Sequence, residues 1–464
     1  MPRDRKAVLL DFGSTHTKVA VVSPREERIL FSGCTASTVK SDARLGLRRC
    51  LEMARDVLSA AEFDGALKLA SSSAAGGLRM VVIGLSRSLS VTAGRSAAFG
   101  AGGKILATLA GRIKEPELAG LAAEKVEIIL FCGGYERGSE AALLHNAALL
   151  AASSLQAPVI YAGNSFAAAK VRSLLASGGK ECFIADNIIP SVGVLNTAMA
   201  ESIVREIFLK RIINMKGLDG VRGMLDGILM PTPSAVLAAG ELLARGCDGE
   251  KGLGELIIFD VGGATTDVHS FAEQRPYDGA RFIGAAEGFA KRTVEGDLGL
   301  RESSVLVAEG AGTAKLAADA AVSDAFMAEA VARRVADNSF LPATREEHRV
   351  DSALASYCVR AAARRHAGCI EHTASVGCKL LQRGKNLGGV KNIIGTGGPL
   401  INNEDPAALL KEALRKGGER DVLLPETAAL YADGSYMLYA MGLLACHEPK
   451  AALGIMKKSL EALS

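Results

Sequence analysis

The chain has 464 residues, of which 49% are hydrophobic and 23% charged, with a formal net charge of +3. That length allows at least two large buried cores, and a near-neutral balance without long single-sign blocks argues against nucleic acid or a membrane surface as partner. The nine cysteines are scattered without a CxxC pair or zinc spacing, and no apolar run reaches the roughly 18 residues of a membrane span, so a cytoplasmic protein with reduced thiols is expected.

In chain order, residues 7–12 form an apolar run that predicts a strand, residues 13–17 a small polar turn, and residues 18–23 a second strand. A third strand is expected at 28–33, a helix at 43–61, and strands at 66–71 and 78–85. The alternation continues with a helix at 97–112, a strand at 126–132, a helix at 140–155, a strand at 158–162 and a helix at 166–177. Such alternation predicts α/β layers with ligands at the carboxyl ends of the strands. Residues 196–215 and 231–245 read as long helices, the second opened by Thr232 and Pro233 in favoured first-turn positions. The polar, Gly-rich stretch 246–254 is the expected boundary between lobes 1–250 and 251–464. Residues 256–268 repeat strand–turn–strand. A helix-rich region then runs to Val390, followed by a strand at 391–394, a Gly turn and further helices.

The sequence repeats itself at one place. Residues 11–19 read DFGSTHTKV and residues 260–268 read DVGGATTDV, so that Asp11, Gly13, Thr17 and Val19 fall on Asp260, Gly262, Thr266 and Val268. Each copy joins two apolar strands, which predicts a duplicated β-hairpin presenting its turn to one ligand. In such a turn glycine lets the backbone approach a polyanion, and successive N–H groups form an anion-binding concavity. Gly13, Ser14, Thr15 and Lys18 in the first copy, and Gly262, Gly263 and Thr265 in the second, are the candidate phosphate binders. Asp11 and Asp260 end their strands, where a carboxylate can hold hydrated Mg²⁺ beside phosphate. A third element, residues 393–400 (IIGTGGPL), is a strand ending in a Gly turn, and Gly395, Gly397 and Gly398 leave bare backbone for a base or ribose. Glu287 and Lys291 stand four apart and read either as a border to adenine or as a helical surface pair.

The order of these three motifs resembles the superfamily of actin, sugar kinases and heat-shock chaperone ATPases. That resemblance implies an α/β, actin-like (ribonuclease H-like) ATPase fold of two duplicated lobes around a nucleotide cleft, with ATP and Mg²⁺ as cofactors. It implies phosphate loops at 11–15 and 260–267, an adenosine loop at 393–400, and inter-lobe helices from Pro231 and near Tyr439. Asp260 or Asp267 would orient the attacking water, and Asp11 with Asp260 would hold the metal. Met230 stands where the chaperones carry a carboxylate near the metal, and Ala264 replaces a third Gly, so slow hydrolysis is expected. A closer resemblance is to the glutamate (methylaspartate) mutase accessory family, GlmL or MutL. It is carried by residues 11–18 (DFGSTHTK), 71–80 (SSSAAGGLRM), 158–164 (PVIYAGN), 228–237 (ILMPTPSAVL), 291–299 (KRTVEGDLG), 365–368 (RHAG) and 393–400. Residues 133–138 (GGYERG) depart from that family's usual GGTDGG turn. This resemblance implies an ATP-dependent reactivating chaperone whose partners are the subunits of an adenosylcobalamin-dependent mutase. A metabolite kinase on the same fold is the alternative.

Overall fold

The computed structural model describes residues 5–13, 16–38, 42–72, 78–213, 224–373 and 379–464. The chain forms two compact units. The first comprises Met1–Ala239, Gly284–Gly288 and Tyr439–Ile455, and the second Gly240–Ile283, Phe289–Leu438 and Met456–Ser464. The chain first passes between them inside the helix Thr232–Arg245. The stretch 246–254 instead forms a small hairpin within the second unit. Among the described residues no helix is long and apolar enough to cross a membrane.

The strands of the first unit are β1 (Ala7–Phe12), β2 (His16–Ser23), β3 (Arg28–Ala36), β4 (Leu67–Ser72), β5 (Arg79–Gly84), β6 (Lys104–Ala110), β7 (Ile128–Gly133), β8 (Val159–Gly163), β9 (Cys182–Ile184) and β10 (Gly227–Pro231). One sheet has the order β10-β4-β1-β2-β3. In it β1, β2 and β3 run antiparallel in succession, while β4 pairs parallel to β1 and β10 parallel to β4. β1 is buried at every position, as a strand covered on both faces must be, whereas β3 alternates exposed and half-buried residues and forms the edge. The second sheet is wholly parallel in the order β6-β5-β7-β8-β9, the doubly-wound arrangement that alternating elements produce. Alternate residues of its strands enter different cores. Val81, Ile83 and Phe131 pack with Leu143, Ala147 and Val171 of the helices Ala141–Ala152 and Ala168–Ser177. Val82, Leu130 and Cys132 face Ala93, Ala97 and Val204, in the core that also holds Val8 and Leu10 of β1.

One expectation is corrected here. Residues 97–112 are not one helix: the helix Thr92–Gly100 stops, and β6 follows. Gly102 at φ 81° and Gly103 break the helix, and residues 104–110 then gain a parallel partner in β5.

The second unit contains β11 (Gly246–Cys247), β12 (Glu250–Lys251), β13 (Leu256–Val261), β14 (Thr266–Phe271), β15 (Ala280–Ile283), β16 (Ala290–Glu295), β17 (Cys369–His372), β18 (Leu380–Arg383), β19 (Asn392–Thr396), β20 (Ala429–Ala432) and β21 (Glu461–Leu463). Its main sheet has the order β16-β14-β13-β19-β20-β21. β13, β14 and β16 are successively antiparallel, and β19 and β20 continue parallel to β13. The first five of these strands repeat the order and directions of the first unit's five-strand sheet, and β21 adds a sixth, antiparallel to β20. The sequence repeat therefore marks a repeated sheet, with the DxG turn in the same hairpin of each.

Candidate functional site

The turn of the second unit is held from one side by its carbonyl groups. Gly262 N–H donates to Thr265 O (2.9 Å), closing the turn between β13 and β14. The carbonyls of Gly262, Gly263 and Ala264 are all engaged from one segment: they accept from Leu300 N–H (3.1 Å), Arg301 N–H (2.7 Å) and Ser303 Oγ (2.7 Å). A planar trans peptide points its C=O and its following N–H in opposite directions. The N–H groups of Gly263, Ala264 and Thr265 are therefore turned away from that brace, and among the described residues they have no hydrogen-bond partner. Three adjacent free donors make a concavity suited to phosphate oxygens. The brace has room only because Gly299 lacks a side chain: a Cβ there would lie 2.6 Å from the carbonyl oxygens of Gly263 and Ala264.

Two carboxylates face each other beside this turn. Asp260 and Asp267 are directly opposite in the β13–β14 ladder. Asp267 is neutralised by Arg292, whose Nη2 lies 2.5 Å and Nε 2.8 Å from Oδ1, and it also accepts from Thr265 Oγ1 (3.3 Å). Asp260 is half-buried at the strand end and opposes Thr396 of β19. A Cβ on Gly397 would come 2.8 Å from Asp260 Oδ1 and 2.9 Å from Val261 N. With φ at +92°, Gly397 holds a conformation that side-chain-bearing residues rarely adopt. Gly395 packs against Leu410 and Leu400, and Gly398 opens the short helix Gly398–Ile401. Thr396 Oγ1 donates to Asp433 (3.3 Å), which also accepts from Met437 and Leu438 N–H.

Lys291 is not gathered with these glycines. It lies in β16 opposite Ser270, three residues along the strand from Val294, which opposes Asp267. Its Nζ donates to the His366 carbonyl (2.7 Å). Neither Lys291 nor Glu287 belongs to a helix, so the helical surface pair is corrected: residues 290–295 gain a sheet partner in β14 that outweighs their local pattern. The RHAG and KRTVEGDLG segments meet here. Arg365 makes a two-point pair with Asp297 (2.6 and 2.8 Å) and also reaches Glu295, while His366 Nδ1 and Thr293 Oγ1 are 2.8 Å apart.

The first unit's turn closes in the same way, with Gly13 N–H donating to His16 O (2.9 Å). The Gly13 carbonyl accepts from Ser37 Oγ (2.6 Å), much as Gly262 accepts from Leu300. Ser14 and Thr15 lie outside the described residues, as do residues 73–77 of the small polar stretch that follows Ser72. Asp11 is buried and opposite Lys18 in the β1–β2 ladder. Its Oδ1 accepts from Ser71 Oγ (3.2 Å) and from Thr232 Oγ1. Burial pushes the Asp11 carboxyl above the usual range, against the opposing pull of the Thr232 hydroxyl, the Lys18 charge and the Ser71 hydroxyl. Met230 is buried in β10, and Thr232, which opens the next helix, supplies the polar contact to Asp11. Sequence reasoning noted Thr232 only as a helix start and missed Arg301 and Ser303 altogether. The sole local signal of the brace was the Gly296/Gly299 spacing.

Two sheets of order edge–hairpin–hairpin–parallel–parallel, each with a glycine turn after its first central strand, define the actin-like, ribonuclease H-like ATPase fold in duplicate. The sequence model of the family described as MutL protein matches residues 7–460. Protein MutL of Clostridium tetanomorphum is 38% identical over 455 residues, covering 98% of each chain. The chain belongs to the MutL family, the glutamate mutase accessory family that its motifs resemble. Among solved structures, similarity extends to the ethanolamine utilization protein EutJ from Carboxydothermus hydrogenoformans (12% identity, 98% of this chain and 91% of that one, TM-score 0.25). It also extends to the xylulose kinase from Bifidobacterium adolescentis (11% identity, 99% and 94%, TM-score 0.32). At these TM-scores the fold assignment rests on the strand orders.

Proposed function

We propose that this chain is an ATP-dependent accessory protein that reactivates an adenosylcobalamin-dependent mutase by promoting exchange of damaged cobalamin. Membership of the MutL family over nearly the full chain is the observation that carries the partner. The nucleotide is supported by the three amides of residues 263–265, which have no partner among the described residues, and by the matching closure at Gly13. Gly262, Gly263 and Thr265, with Gly13, Ser14, Thr15 and Lys18, are the proposed phosphate binders, and Gly395, Gly397 and Gly398 the adenosine wall.

The residues present fit a magnesium nucleotide. Asp11 is a buried carboxylate at a strand end, with hydroxyls of Ser71 and Thr232 on Oδ1 and Lys18 opposite, and a divalent cation would further favour its ionised form. Asp11 and Asp260 are the proposed Mg²⁺ carboxylates, and the metal when bound would neutralise phosphate charge. Asp260 or Asp267 is the proposed residue for orienting the attacking water, and Asp267 is held in place by Arg292. With the buried thioether of Met230 in the strand row of Ser71 and Asp11 instead of a carboxylate, turnover is expected well below the roughly 10 s⁻¹ of an ordinary enzyme. Coupling to a partner requires that ATP and ADP favour different conformations, since a ligand shifts an equilibrium only by its differential affinity.

The test is reactivation. A cognate mutase stripped of its adenosyl group should regain activity only when this protein, ATP, Mg²⁺ and fresh adenosylcobalamin are all present. A non-hydrolysable ATP analogue should permit complex formation without repeated rounds. Phosphate transfer to a small metabolite, with no cofactor exchange on the mutase, would overturn the assignment in favour of a kinase.

A further inference from the structure

The brace behind the second turn ends in a buried cluster of charges. Arg301 donates its main-chain N–H to Gly263 O, and its Cβ and Cγ lie 3.3 Å from where a Gly263 side chain would begin. Its guanidinium makes a two-point pair with Asp351 (Nη1–Oδ1 3.1 Å, Nη2–Oδ2 2.9 Å), and its Nε donates to Phe340 O (2.9 Å). Asp351 Oδ1 also accepts from Arg334 Nε (2.7 Å). Arg334 is fully buried and donates onward to the carbonyls of Ala330 (2.9 Å) and Glu347 (3.0 Å). Arg334 and Asp351 belong to the helices Asp324–Ala336 and Arg345–His366, so Arg301 is tied at once to two helices of the core. Burying such charges carries a large desolvation penalty, and apolar residues of similar volume would commonly serve stability as well. What the network supplies that apolar packing cannot is a fixed orientation for one guanidinium.

We propose that Arg301 is a positioning residue for the phosphate-binding turn, holding the Gly263–Ala264 peptide so that its N–H stays presented to the nucleotide. This rests on the reading of residues 262–265 as a phosphate loop. The two-point pair, with the bonds from Nε to Phe340 O and from Nη1 to Leu300 O, fixes the plane and place of the Arg301 guanidinium and so restrains the main chain that bonds Gly263 O. Leu300 N–H and Ser303 Oγ hold the neighbouring peptides in the same sense, and Ser303 also donates to Gly296 O (2.9 Å). Donors fixed before the anion arrives need no reordering when it binds.

The experiment uses the full-length chain with Arg301→Lys, which keeps the charge but cannot form the two-point pair, and the milder Ser303→Ala. Calorimetry with Mg-ATP, inorganic pyrophosphate and adenosine is paired with hydrogen exchange at the Leu300 and Arg301 amides, which bond to the turn. Arg301→Lys should weaken Mg-ATP and pyrophosphate about tenfold, the value of one good hydrogen bond, leave adenosine within about twofold, and speed exchange at both amides. Ser303→Ala should show the same selectivity at smaller size, and it carries the test should Arg301→Lys not fold. Unchanged phosphate affinity with unchanged exchange overturns the inference, as does an equal loss for adenosine and pyrophosphate. A native chain that binds neither Mg-ATP nor pyrophosphate sinks the nucleotide reading itself, and this inference with it.

Discussion

Replacing Gly397 with alanine should both destabilise the second unit and damage nucleotide binding. Gly397 stands at φ +92° and ψ 143°, in a region that is essentially reserved for glycine. Forcing alanine into it costs about 1–3 kcal/mol. The new methyl would also sit 2.8 Å from Asp260 Oδ1, 2.9 Å from Val261 N, and closer still to the Val261 carbonyl oxygen. Those atoms cannot yield easily, because β13 is paired on one side with β14 and on the other with β19. Overpacking of this kind costs roughly another 1–3 kcal/mol. The total, about 2–6 kcal/mol, is a large share of the 5–15 kcal/mol typical of a folded domain. Relief is easiest through movement of residues 397–398 and of the Asp260 side chain, so Mg-ATP affinity should fall in whatever fraction remains folded. Urea unfolding of the native and Gly397→Ala proteins at pH 7, with calorimetric titration of Mg-ATP, measures both effects. A variant within about 0.5 kcal/mol of the native protein, with unchanged affinity, would refute the close approach of Gly397 to Asp260.

Asp11→Asn should raise the urea midpoint of the ligand-free protein at pH 7 while abolishing Mg-ATP binding. Burial lifts the folded-state pKa of Asp11, so its contribution to stability is complete below the unfolded value of about 3.9 and is lost as pH rises through the folded value, leaving the ionised carboxylate a burden at neutrality. His269 and His366 act in the opposite sense. Both are buried, and burial depresses them, His269 to about 3, so their contribution is full above the unfolded value of about 6.5 and is lost as pH falls below it. In the Asp11→Asn protein, which lacks the opposing carboxyl, unfolding free energies measured between pH 7.5 and 5.5 should therefore fall, by up to about 1.4 kcal/mol per pH unit for each histidine, and a flat profile there would contradict their burial as neutral rings. Gly442→Ala should lower the melting temperature, because a Cβ there would overlap the Ala235 carbonyl, at a cost of about 1–3 kcal/mol or more.

Much of the duplicated architecture was legible in the sequence. Apolar runs such as AVLLDF and LIIFDV, each bounded by a glycine turn, read as strands buried on both faces, and the DxG between each and its partner needs glycine for tight closure. Those requirements are local, acting over a handful of residues, so the sequence pattern carries them openly. The helix expected at 97–112 failed because its second half has an equally good local reading as a strand, and only pairing with β5 chooses between them.

The sequence by itself determined the two hairpins, their glycine turns, the Gly-rich strand end at 395–398 and the resemblance that led to the family. Only the tertiary structure decided what surrounds them: Thr232 on Asp11, Arg292 on Asp267, Lys291 anchored on His366, and the 299–303 segment behind the second glycine turn. The physical reason is distance along the chain. Thr232 and Asp11 are 221 residues apart and Arg301 and Asp351 are 50 apart. No periodicity spans such separations, and which polar groups meet is settled by how the strands and helices pack.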